Sequence, residues 1–177
     1  MQWVSSQGGP LILVPQDLVQ DWGGNSQPAI DREVARPRKA DVPSTDYYRA
    51  CSIRDYIELI DIGIGYGLVF GDEPLQTGWL LSAGKGEGVF ARWRYADSEA
   101  SVTQHLASIP DYIFQPTGVV FQVCRSKLFL FDAAIPGRSL RDGDYLLIEL
   151  RPGEYRIQTG LYEPDAQTAL VLHRLLR

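Results

Sequence analysis

A chain of 177 residues is long enough to bury one sizeable core, and 45% apolar with 22% charged residues excludes wholesale disorder. A net charge of −5 and a pI near 5.0 exclude nucleic acid as a direct partner, because phosphate binding needs a basic face. The acid surplus suits a basic protein partner, although so small a surplus is also what simple solubility requires.

Aromatics reach 11%, with 17 glycines and 11 prolines. Strand-favouring residues punctuated by frequent turns predict many short strands. The cysteines are Cys51 and Cys124. Two in a chain this long make no disulfide framework, and both are expected as buried free thiols of a reducing compartment. The start, Met1-Gln2-Trp3-Val4-Ser5-Ser6, lacks the basic and apolar regions of a signal peptide. No apolar stretch approaches the ~20 residues of a membrane helix. The expected location is the cytoplasm, with no membrane partner.

Leu11-Ile12-Leu13-Val14, bounded by Pro10 and Pro15, reads as a buried strand. A short helix is expected from Gln16 to Trp22, with Leu18, Val19 and Trp22 on one face and Gly23-Gly24 ending it. Residues 23–44 carry Pro28, Pro37, Pro43 and the basic cluster Arg36-Pro37-Arg38-Lys39, with almost no apolar periodicity. They read as a long mobile loop, and long loops in compact domains are often functional.

Thr45-Asp46 is expected to cap a helical turn through Cys51. Strands are expected over Tyr56–Ile62, Gly65–Gly71, Gly78–Leu81 and Val89–Tyr95, with a hairpin turn at Gly84–Gly88. An amphipathic helix should begin at Asp97 and reach about Ser108. Further strands are expected over Tyr112–Phe114, Val119–Cys124, Lys127–Asp132, Tyr145–Leu150, Glu154–Tyr162 and Thr168–Leu175. The fold class is therefore mainly β: antiparallel sheets in a sandwich-like arrangement with two or three short helices. One domain over 1–177 is expected. A weak echo of the Glu73-Pro74 segment at Glu163-Pro164 suggests two related lobes, 1–96 and 112–177, joined by a short helix.

Signatures of catalysis are absent. Gly63-Ile64-Gly65-Tyr66-Gly67 has the wrong spacing for a dinucleotide loop and suits a hairpin turn. His105 and His173 lack metal-ligand spacing, so no metal and no cofactor are expected. A Cys51–His105 or Cys124–His173 dyad stays open, since such pairs assemble from distant positions. Asp72-Glu73-Pro74 reads either as a turn or as an acidic tip offered to a basic partner. Trp3, Trp22, Trp79 and Trp93 are large enough to serve as interface anchors, although burial in a core is the commoner role for each. Trp93 must point away from Arg92 and Arg94; with the Trp inward, both arginines would be outward.

The chain resembles the bacterial immunity proteins of the immunity protein 21 family, from polymorphic toxin systems. The residues that carry this are Trp3 with Gly8–Pro15, Trp22, Thr45–Cys51, Asp55-Tyr56-Ile57, Leu68–Pro74 and Arg92–Ala96. Phe131–Ala134, Gly153-Glu154-Tyr155 and Leu172–Leu175 complete the pattern. The resemblance spans nearly the whole chain but not residues 23–44. It implies a non-enzymatic inhibitor that binds and blocks a cognate protein toxin without a cofactor, and it brings no catalytic residues. Aromatic and acidic anchors would supply the affinity, with Asp46, Asp72, Glu73 and Trp79 as candidates. The competing readings are a β-sandwich module that stacks a sugar on Trp79 or Trp22, and an enzyme using Cys51 or a histidine.

Overall fold

The computed structural model describes residues 1–26, 45–71, 75–81 and 87–177. Among them, two antiparallel sheets face each other. The first has the order β1-β5-β6-β11-β10-β7, built from Trp3–Val4, Gln76–Leu81, Gly88–Tyr95, Thr168–Leu176, Gly153–Asp165 and Gln115–Val123 respectively. The second has the order β3-β4-β2-β8-β9, built from Ile57–Ile62, Gly65–Phe70, Leu11–Pro15, Lys127–Asp132 and Tyr145–Glu149. The mainly β, sandwich-like expectation holds. Both sheets draw strands from the segments 1–96 and 112–177.

Side-chain alternation along the strands divides the interior into three layers. Between the sheets lie Leu13, Leu68, Phe70, Phe90, Phe121, Leu130, Tyr155, Ile157 and Leu175. Outside the second sheet, Ile12, Val14, Val69 and Phe131 pack against Leu18, Val19, Trp22 and Ala50. Outside the first sheet, Ala91, Leu170, Leu172 and Tyr162 pack against Val102, Leu106 and Phe114. This explains the unbroken apolar run of β2: a central strand covered on both faces has no side that should be polar.

Two capped helices supply the outer cover. Helix α1, Asp46–Cys51, starts at Thr45, whose side chain accepts from the Tyr48 amide at 3.1 Å. Helix α2, Glu99–Leu106, starts at Ser98, which accepts from the Ser101 amide at 3.2 Å. Glu99 in its first turn suits the positive end of the helix dipole.

Several expectations change. The helix expected over Gln16–Trp22 is only a 3-10 turn, Val19–Asp21. Its expected inward residues, Leu18, Val19 and Trp22, are nonetheless all buried. The Tyr112–Phe114 strand is instead a 3-10 turn, Asp111–Ile113, because Pro110 leads in and Phe114 is drawn under the Arg174 guanidinium, 4.1 Å above its ring. Helix α2 ends two residues short of Ser108. Both cysteines are exposed, not buried. Cys124 continues the alternation that points Gln122 outward, and Cys51 lies on the open side of α1.

On β6 it is Arg92 that turns into the space between the sheets, 1% exposed, while Trp93 turns outward onto Trp3, 5.6 Å away. A buried guanidinium needs acceptors, and Arg92 Nη1 donates to the Gly71 carbonyl at 2.8 Å. His173, fully buried beside it, faces Thr159 Oγ1 through Nδ1 at 2.8 Å and stands edge-on to Phe70. Burial, and then the nearby Arg92 charge, push the His173 pKa well below its ordinary value.

Candidate protein-binding surface

Asp46 is almost wholly buried in the first turn of α1. One carboxylate oxygen accepts from the Gly23 amide at 2.8 Å, and the other pairs with Arg49 at 2.9 Å. The Tyr47 amide donates to the Gly24 carbonyl at 3.0 Å. Asp46 thus clamps the two ends of the segment that was expected as a loop, of which residues 27–44 lie outside the described residues. Asp72 and Glu73 also lie outside them; the described chain stops at Gly71, whose carbonyl Arg92 holds.

Trp79 lies at the margin of the inter-sheet core, half-buried, with its ring 4.4 Å from that of Phe90. It belongs to the first sheet, whereas Asp46 sits outside the second, so these two candidates do not share a patch. Trp22, by contrast, is sealed: 1% exposed, with its indole N–H donated to the Ala133 carbonyl at 2.9 Å. It offers no face for stacking a sugar.

A different set of residues converges along β3, the edge of the second sheet. Asp55, Glu58 and Asp61 are exposed in succession from the Gly71 end of that strand to its far end. There Gly63-Ile64 makes a two-residue turn between the paired Ile62 and Gly65. Gly63 has φ +52°, the left-handed region that favours glycine, and a side chain there would also have to displace the Asp21 carboxylate. The turn lifts Ile64 into solvent, 89% exposed. Tyr66, paired across the hairpin with Asp61, is 52% exposed. Arg49 steadies the strand from α1 by donating to the Asp61 carbonyl at 3.1 Å. The edge strand thus carries acids on both of its faces, Glu58 outward with Ile60 and Ile62 and Asp61 on the side of Ile57 and Leu59, with Asp55 just before it, and it ends in an apolar knob. Charges on an edge strand also keep it from pairing with another sheet.

Neither cysteine–histidine dyad that the sequence leaves open is assembled. Cys51 is on α1, outside the second sheet, and His105 is on α2, outside the first. His105 pairs with Asp165 at 3.0 Å instead. Cys124 follows Val123, which pairs with Gly153, whereas His173 pairs with Thr159. Six residues along β10 separate them by roughly 20 Å. Among the described residues no His, Cys, Asp and Glu side chains cluster as a metal site, and no helix is long and apolar enough to cross a membrane.

Residues 2–168 match the family described as Immunity protein 21. The chain belongs to that family. No curated protein and no solved structure matches it. Membership in the Immunity protein 21 family implies a protein toxin as partner. Exposed anchors held on a fixed scaffold are what protein recognition uses, and the β3 edge with its tip has this form.

Sequence reasoning passed over Ile64, Tyr66, Asp61 and Glu58. A signal was present. A bulky apolar residue beside glycine in a two-residue hairpin turn is out of place, because turns favour Gly, Asn, Asp and Pro. Once the segment reads as a hairpin, Ile64 is at its tip.

Proposed function

We propose that this protein binds a cognate bacterial toxin domain in the cytoplasm and neutralises it by covering its working surface. The reading rests on family membership for the kind of partner, and on one observation for the surface. Ile64, 89% exposed on a constrained turn, ends an acidic edge strand. An apolar knob fixed by its backbone loses little entropy on binding, and the carboxylates beside it steer a basic partner toward it. Asp72 and Glu73, which follow Gly71 in sequence, remain candidates on their charge alone. Trp79 is a further candidate anchor, and Asp46 acts through the shape it holds.

The test is co-expression with the toxin domain encoded beside the gene, combined with calorimetry on the purified pair. The wild-type chain should restore growth and form a complex. Ile64→Asp combined with Tyr66→Ala should weaken the complex by about 2 kcal/mol or more, roughly thirtyfold. Charge reversal at Asp72 and Glu73 should slow association, most visibly at low salt. Full protection and unchanged affinity in both variants would remove this surface from consideration, and absence of any complex would remove toxin binding itself.

A further inference from the structure

The outer face of the first sheet is only half covered. Helix α2 and the Asp111–Ile113 turn close over Ala91, Leu170, Leu172 and Tyr162. Arg174 marks the seam: its guanidinium lies over Phe114, and Nε and Nη2 both donate to Gln158 Oε1, at 3.0 and 2.7 Å. Beyond that seam no described element covers the strands. In register across the sheet, Pro116 stands opposite Gln158, and Val120 opposite Arg156, which pairs in turn with Leu176.

Between Val120 and Pro116, β7 carries extra residues relative to β10, and Gly118 takes φ +77°. This bulge bends the edge strand and opens a groove of about 480 Å³. Its floor is apolar: Pro116, Val119, Val120 and Leu176 line it, and Val120 is 43% exposed. Its rim is basic. Arg156 and Arg177 are both exposed, and neither is held by an ion pair or hydrogen bond among the described residues. Glu87 is the one acid in the lining.

Two guanidiniums thus flank an apolar trough on a chain with a net charge of −5, Arg177 lying beside Gly153 and close enough to Tyr155 to act on it electrostatically. The volume lies in the range of sites that enclose a compact ligand, about 300–1,000 Å³. Guanidinium groups recognise carboxylates in a forked, directional way.

We propose that this groove is a second docking site, distinct from the β3 edge, and that it takes a short acidic segment of a protein partner. An apolar side chain of that segment fills the trough over Val120 and Leu176, and flanking carboxylates engage Arg156 and Arg177. The segment lies extended along β7, where the bulge leaves room for it.

Titration of the isotope-labelled full chain with a blocked pentapeptide alternating glutamate and leucine tests this without any toxin. The matching glutamine and lysine pentapeptides serve as controls. The acidic peptide should shift the Val120 and Leu176 methyl resonances saturably, and neither control should do so. Arg156→Glu with Arg177→Glu should weaken that binding at least tenfold. Arg156→Gln alone, a milder change at an exposed position, should weaken it severalfold. Absence of saturable shifts in the groove, equal binding of the glutamine peptide, or binding that survives removal of the arginine charges would each overturn the proposal.

Discussion

The two outer faces of the sandwich are finished differently. The second sheet is sealed: α1, the Val19–Asp21 turn and the buried Trp22 close over it, and Asp46 ties the chain down. The first sheet is sealed at one end by α2 and left open at the other, where the strands carry arginines and a half-exposed valine. The sealed face is a structural device, and substitutions there should cost stability. The open face and the β3 edge are surfaces, and substitutions there should leave stability alone and change binding.

The sharpest way to break this contrast is Trp22→Ala, which removes a buried indole and its hydrogen bond to Ala133. A loss of about 4 kcal/mol is expected, read from the urea midpoint. Asp46→Ala should cost about 3 kcal/mol in the same measurement, because the Gly23 amide and Arg49 both lose a buried partner. On the partly covered sheet, Leu106→Ala should cost about 2 to 3 kcal/mol. A larger loss there than at Trp22 would mean that the two covers had been ranked the wrong way round.

The space between the sheets makes a pH prediction. His173 stays neutral in the folded chain because burial and Arg92 oppose its charging. Unfolded, it takes a proton near the ordinary histidine value of about 6.5. Stability should therefore be level above that pH. It should fall as the pH drops below it, by up to ~1.4 kcal/mol per unit. His173→Gln should flatten that segment of the profile in denaturant titrations between pH 7.5 and 5. The smallest effect is expected at the tip: Ile64→Ala should change stability by no more than about 0.5 kcal/mol, and a larger loss would mark Ile64 as structural.

Most strands were legible because short β-favouring runs are bounded by turn residues: β10 alternates with period two, whereas β2 and β8 are unbroken apolar runs of central strands. What failed did so for identifiable reasons. Tyr112-Ile113-Phe114 has strand composition, but Pro110 and the pull of Arg174 on Phe114 turn it into a 3-10 turn. The alternation of β6 could not say which face is inward, and burial of Arg92 depends on a carbonyl 21 positions away. The cysteines were judged by residue type when the register of β7 already pointed Cys124 outward. For the candidate surface, acidity and aromatics drew attention to Asp46, whose carboxylate is committed to the fold. The hairpin turn at Gly63–Gly67 is legible in the sequence, but a search for acids and aromatics gives no weight to the apolar Ile64 at its tip.

The position of β11 bears on how the chain comes together. It is among the latest segments in sequence, yet it lies in the middle of the first sheet, between β6 and β10. Until it is in place, the β1–β5–β6 and β7–β10 ribbons are not joined to each other and present bare backbone edges across the gap. Its partners are far apart in sequence, and such contacts form slowly. A nascent or truncated chain lacking residues 168–176 is therefore a pair of sticky ribbons, not a smaller version of the protein. Its proper completion is an act of closure by the final strand.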